Sequence, residues 1–167
     1  LSNGALSTAS GGEDSIREAI VKADLVEAIV ALPKQLFSNT QIPACIWILN
    51  KNKTQKGKTL FIDAREVGYM LDRKQKAFSE EDVESLTDTF HSWRIGNGYE
   101  DIAGQYYSVT SEEIAKNDYI LTPGRYVGIA EEEDDGVPFA DKMNALTSTL
   151  GEQLEESSRL EEQIKKN

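Results

Sequence analysis

The chain is short of nearly everything from which a self-contained active site is built. Its 167 residues hold one cysteine, Cys45, and one histidine, His91. A lone cysteine inside an apolar run excludes an internal disulfide and a thiolate metal cluster, and fits a reducing compartment. A lone histidine leaves too few parts for a histidine metal site or a His-based triad. Cys45 reads as a small core residue and His91 as a surface or half-buried one. There is no Pro-Pro dipeptide, G-x-S-x-G, P-loop or H-E-x-x-H, which removes the commonest hydrolase and kinase readings. Gly96-Asn97-Gly98 is a G-x-G that neither follows an apolar strand nor opens a helix, so it reads as a turn. Asp63 with Glu66 and Glu100 with Asp101 could serve acid-base chemistry, but nothing raises them above other surface acids. No apolar run reaches the roughly 18 residues of a membrane span, and LSNGALSTASGG lacks the basic start and apolar block of a secretory leader.

What is present is enough for one ordinary domain with a buried core and a helical appendage. The net charge of -11 is unevenly spread. Residues 1–60 carry seven Lys or Arg against five Asp or Glu, a balance of +2, whereas residues 61–167 carry eleven against twenty-four, a balance of -13. Only the first part could lie comfortably against a polyanion, and there Lys51, Lys53, Lys56 and Lys58 form a phosphate-friendly cluster. The bland reading of that cluster is a solvated lysine-rich turn.

Periodicity places a helix over residues 14–23, with Ile16, Ala19, Ile20 and Ala23 as its apolar face. Residues 25–32 are almost continuously apolar, as in a parallel strand covered on both faces. A polar loop leads to a second apolar strand, 44–49, and a turn rich in Lys, Asn and Gly leads to a third, 59–63. The last two are expected to pair as a hairpin. Ser79 caps an acidic first turn, and Val83, Leu86, Phe90 and Trp93 line one face of the helix that follows. Ser111 is expected to cap a small helix within SEEIAKND, and Thr122-Pro123-Gly124-Arg125 marks a tight turn. Five consecutive acids, Glu131 to Asp135, form a repulsive linker. Beyond it Phe139, Met143, Leu146, Leu150, Leu154, Leu160 and Ile164 stripe a long helix that needs a partner.

Leu32-Pro33, then Phe37, Asn39, Thr40, Ile42 and Pro43, then an apolar strand ending in Asn50-Lys51 resemble the sheet-closing segment of the modification subunit of type I restriction-modification systems, an N6-adenine DNA methyltransferase. Tyr99-Glu100-Asp101, Asn117-Asp118-Tyr119, Pro123-Gly124-Arg125-Tyr126 and the acidic, leucine-striped helix continue the likeness in the same order, so it covers essentially the whole chain. The resemblance implies an α/β fold: the C-terminal edge of a Rossmann-like class I methyltransferase sheet followed by an α-helical region. Residues 1–66 would hold the final helix and strands of that domain, 67–130 a mixed α/loop extension, and 131–167 the linker and docking helix.

Such enzymes bind S-adenosylmethionine at a glycine-bearing loop and hold a flipped adenine at an Asn-Pro-Pro-aromatic motif. Neither motif is here, so the resemblance assigns this chain no catalytic, cofactor-binding or metal residue. S-adenosylmethionine is expected for the parent enzyme and none bound to this fragment, which should be inactive alone. By the same resemblance, the strand end at Asn50 and Lys51, with Lys53 beside it, borders the target base or DNA. Implied partners are DNA, the specificity subunit docked on the helix stripe, and the restriction subunit, in the bacterial or archaeal cytoplasm and away from membranes. An open sheet edge would favour self-association. The alternative reading is a non-enzymatic interaction module presenting a coiled-coil-like helix. Asn39 and Thr40 are expected to shape their loop rather than touch DNA.

Overall fold

The computed structural model describes residues 1–38, 40–129 and 138–166. Asn39 and the five-acid run lie outside them. The chain divides into two compact units, Leu1–Glu131 and Glu132–Asn167.

In the first unit two 3-10 turns, Asn3–Leu6 and Ser10–Gly12, lead into α1, Glu13–Lys22. The acidic Glu13 and Asp14 in its first turn and Lys22 in its last complement the helix dipole. Its buried face differs from the apolar face expected. Ile16 is 58% exposed, whereas Arg17 and Val21 are buried, with Ile20 packed beside them. The guanidinium of Arg17 decides this rotation by donating to the carbonyls of Thr8 at 2.6 Å and Tyr119 at 3.2 Å. These bonds tie the first turns to the far end of the unit, and the methylene stem can be buried because the charged head is satisfied.

Strand β1, Val26–Ala31, is buried at every residue. Strands β2, Cys45–Leu49, and β3, Lys58–Asp63, flank it, and β6, Tyr106–Thr110, completes a four-stranded sheet of order β2-β1-β3-β6. The expected β2–β3 hairpin does not form: β2 pairs antiparallel with β1, and β3 pairs parallel with β1 on its other side. A fully buried strand needs a hydrogen-bonded neighbour along each edge, and β1 takes both. The crossover from β2 to β3 is pinned by Asp24, which accepts from Lys53 Nζ at 2.5 Å and from the Gly57 N–H at 3.1 Å.

Glu27 is the extra residue of a bulge where β1 meets β2. The bulge lets Val26 and Ile29 share one face while Ala28 and Val30 point to the other. One core gathers Leu6, Val21, Ile29, Phe61 and Ile114, with α1 and α3, Ser111–Lys116, on that face. The second gathers Val30, Leu60, Ile62 and Trp93 against α2, Glu80–Ile95. Helices therefore cover both faces of the sheet, a mixed α/β architecture. Residues expected as an α/loop extension supply β6, Ile114 and Trp93, so the two parts share one sheet and both cores.

Ser79 and Asp82 close a capping box on α2, and Gly96, at φ 75°, ends the helix in the left-handed region that an L side chain enters only with strain. The cap of α3 sits one residue earlier than expected: Thr110 and Glu113 form its box, and the Ser111 hydroxyl donates to the Gly57 carbonyl at 3.2 Å. A small hairpin of β4, Tyr69–Met70, and β5, Lys76–Ala77, stands between β3 and α2.

The second unit is α4, Phe139–Lys166, whose 28 residues make a rod of about 42 Å at about 1.5 Å per residue. The seven stripe residues are all exposed, from 46% at Leu160 to 75% at Phe139 and Ile164. Lys165 pairs with Glu161 and Arg159 with Glu156 along the rod.

Candidate nucleic-acid interface

The sheet presents two rims. Asn50, Lys51 and Lys53 lie where β1 and β3 begin, because β2 runs opposite to them and its last residues meet their first: Val26 pairs with Leu49. In open α/β sheets ligands settle outside the carboxyl ends of the parallel strands. The direction of β2 therefore argues against these residues bordering a base pocket.

Their contacts point the same way. The Lys53 side chain is 2% exposed and bound to Asp24, a structural ion pair rather than a free phosphate contact. Asn50 donates from Nδ2 to Glu27 Oε2 at 3.1 Å and accepts the Asn52 N–H at 2.8 Å, which shapes the turn. Glu27, 2% exposed, is further balanced by Arg94, whose Nε lies 3.3 Å from Oε1 in an ion pair. Lys51, Lys56 and Lys58 remain exposed. Sequence spacing joined the lysines but could not reveal Asp24, Glu27 and Arg94, which are brought together only by the crossover and by the end of α2.

The opposite rim holds the carboxyl ends of β1 and β3 and the start of β2. Here the loop of residues 32–43 turns back through Gln35, at φ 65°, and a bridge between Phe37 and Thr40; the Thr40 hydroxyl accepts the Ile42 N–H at 3.1 Å. Asp63, which ends β3, holds Arg65 in a bidentate pair at 2.8 and 2.6 Å.

The marked pKa shifts all run away from neutrality. Burial, with the hydrogen bond to Asp101, pushes the Tyr99 hydroxyl up. Burial takes Tyr126 to about 12 while its hydroxyl donates to the Ile120 carbonyl. Burial also raises the Cys45 thiol. Burial opposes ionisation of Asp24, but hydrogen bonds from Lys53 and Gly57 together with the lysine charges outweigh it and hold the carboxyl low. The Ser79 and Thr110 N–H groups hold Asp82 and Glu113 low. Such shifts mark structural pairing rather than groups set for proton transfer. Among the described residues no group of three or more His, Cys, Asp or Glu is placed to hold a metal, and no helix is long and apolar enough to cross a membrane.

The β2 edge facing away from β1 has no strand beside it among the described residues, apart from the hydrogen bonds that Leu1 exchanges with Cys45 and a bridge between Ser2 and Ala44. Ile46 and Leu49 are 47% and 54% exposed on it. Between this edge and α2 lies an apolar cavity of about 290 Å³, walled by Val30, Ile46, Ile48, Val83, Leu86 and Phe90.

Comparison with known proteins supplies the context. The family described as N-6 DNA Methylase matches residues 1–135. The chain is 58% identical over its whole length to the type I restriction enzyme HindI methylase subunit of Haemophilus influenzae, covering 38% of that protein. It is 41% identical to the MjaIX methylase subunit of Methanocaldococcus jannaschii over 99% of this chain and 30% of that one. Among solved structures, the type I methyltransferase subunit from Streptococcus thermophilus superimposes with a TM-score of 0.66 at 30% identity, covering 75% of this chain and 25% of the other. The chain thus spans well under half the length of these relatives, and it belongs to the N-6 DNA methylase family, within the type I restriction-modification methyltransferase subunits.

Proposed function

We propose that this chain is a portion of the adenine-N6 DNA methyltransferase subunit of a type I restriction-modification system. It supplies the outer strands of a Rossmann-like class I methyltransferase sheet and the helix that docks a specificity subunit. The observation that carries this reading is the open apolar edge of β2 in a chain matching a third or so of longer methylase subunits. A strand with one edge largely open, exposing Ile46 and Leu49 beside an apolar cavity, is what a sheet looks like at the line where further strands join. In the assembled enzyme, S-adenosylmethionine and the target adenine are bound by residues outside this chain, which is inactive alone and works in the cytoplasm with the specificity and restriction subunits.

Two measurements test this. The complete subunit with its specificity partner transfers a labelled methyl group from S-adenosylmethionine to adenine in duplex DNA, while this chain alone transfers none and gives no calorimetric heat with the cofactor. Activity or cofactor binding by the chain alone overturns the reading. For the helix, Leu146→Asp with Leu150→Asp abolishes co-purification with the specificity subunit while leaving the fold of residues 14–130 intact, as read by the near-ultraviolet circular dichroism of Trp47 and Trp93. Undiminished co-purification removes the docking role. Burying the stripe contributes on the order of 10 kcal/mol gross at about 25 cal/mol per Å², most of it offset by ordering, so two buried charges suffice to break it.

A further inference from the structure

The rim at the carboxyl ends of β1 and β3 carries a cavity of about 300 Å³ into which three cations from separate segments converge: Lys34 after β1, Arg65 after β3, and Lys76 on β5. The backbone holds them there. The Lys76 N–H donates to the Gln35 carbonyl at 2.9 Å, fastening the small hairpin to the loop after β1, and Lys76 Nζ reaches the Arg65 carbonyl at 3.4 Å. Gln35, beside Lys34, takes the left-handed conformation that a non-glycine residue adopts only when its surroundings demand it.

Charge balance at the cavity is incomplete. Asp63 neutralises Arg65 through one face of the guanidinium. Glu66 is the acid on the cavity wall, and Lys34 has no ion pair or hydrogen bond from its ammonium among the described residues. The hairpin tip, outside the cavity lining, carries Arg73 and Lys74 against Asp72, which accepts the Lys74 and Gln75 N–H groups. The rim is polarised. Toward β6 a second cavity is lined by Asp63, Glu81, Asp82 and the shared Glu66, and the charge of Lys76 reaches Asp82, so Lys34, toward β2 and the open side of the sheet, is the cation with least counter-charge. Gathering like charges in one recess is unfavourable in isolation and becomes favourable when an anion enters.

We propose that this recess holds a phosphate of the DNA backbone, with Lys34 and Lys76 as the direct contacts and Arg65, its charge balanced and its position fixed by Asp63, beside them. The proposal rests on the DNA methyltransferase reading above and moves the expected DNA contact from the Asn50–Lys53 turn to the opposite rim. Phosphate contacts fix the register of a protein on its duplex without reading sequence, which suits a subunit whose DNA target is chosen by a partner.

The test is the salt dependence of duplex binding by the complete methyltransferase subunit with its specificity partner, followed by fluorescence anisotropy. Lys34→Gln with Lys76→Gln lowers the magnitude of the slope of log K against log salt by about 0.9, the value for one lost phosphate contact, equally on cognate and non-cognate duplexes. Lys51→Gln with Lys58→Gln, on the other rim, leaves the slope unchanged. In the unaltered assembly, DNA protects Lys34 and Lys76 from amine acetylation, a readout independent of how the variants fold. An unchanged slope without protection of either lysine overturns the proposal, as does a slope that falls only for the Lys51 and Lys58 pair. Saturation of the recess by inorganic phosphate at constant ionic strength, without loss of DNA affinity, also overturns it and assigns the site to a free anion. If the assembly binds no DNA at low salt, the methyltransferase reading fails as well, so the two failures are distinguishable.

Discussion

The two rims of the sheet handle charge in opposite ways. Where β1 and β3 begin, every inward charge has a partner: Asp24 with Lys53, and Glu27 with Asn50 and Arg94. Where they end, Lys34 and Lys76 face a recess whose lining acid among the described residues is Glu66, with Asp82 within reach of the Lys76 charge. The paired rim holds a crossover in place. The unpaired rim, so called for Lys34 since Asp63 there holds Arg65, sits where open α/β sheets bind ligands. Clustering of lysines in the sequence thus does not show which of them the fold supplies with counter-charges.

The largest expected effect falls on the paired rim. Asp24→Ala strands the buried Lys53 ammonium, frees the Gly57 N–H and places alanine at φ 54°, lowering stability by about 3 kcal/mol in urea unfolding. Asp24→Asn with Lys53→Met recovers most of it, since asparagine tolerates that backbone and still accepts from Gly57. Equal loss in the double variant would mean that the charge pair itself, not the backbone or the Gly57 contact, holds the crossover.

The capping boxes compare the rims on equal terms, Ser79 on the unpaired one and Thr110 on the paired one. Ser79→Ala and Thr110→Ala should each cost about 1 kcal/mol. A much larger loss for Thr110→Ala would show that the paired rim couples its cap to the crossover through Ser111 and Gly57.

Acid sharpens the contrast further. The carboxyl of Asp24 titrates lower in the folded chain than its ordinary value of about 4, so its contribution is fully present above that value and drains away as pH falls through the folded one. Asp24→Asn should therefore flatten the loss of stability between pH 5 and pH 2, by about those limits, whereas Lys34→Gln leaves it unchanged.

The smallest effect is expected at Gly124. A Cβ there would lie 2.9 Å from Arg65 Nη2, the far end of a half-exposed side chain paired with Asp63, so Gly124→Ala displaces the guanidinium slightly without breaking that pair and changes stability by less than about 0.5 kcal/mol. A loss above that would mean the Asp63–Arg65 pair is structural.

Several of these features were legible in the order of residues. The continuous apolarity of β1 announced a central strand, and Ser79 followed by three acids announced a capped helix; both stand as read. The hairpin between β2 and β3 did not form because adjacent apolar segments joined by a polar turn look alike whether they pair or flank a third strand. Arg17 was missed because helical periodicity counts apolar residues, and here a guanidinium satisfied by carbonyls occupies the buried face. Strand β6, Tyr-Tyr-Ser-Val-Thr, was too short and mixed to separate from its surroundings. The cationic recess was hidden for a topological reason: Lys34, Arg65 and Lys76 meet only because β1 and β3 are parallel neighbours ending on the same side.

Cys45, 3% exposed at the start of β2, lies under Leu1 and Ser2, whose carbonyls each sit 3.6 Å from its sulfur. Labelling by a thiol-specific reagent therefore has to wait until those first residues peel from the strand. The rate at which this one sulfur reacts is a clock for fraying of the β2 edge, and slowing of that clock by a complementing polypeptide would time the moment the sheet is joined.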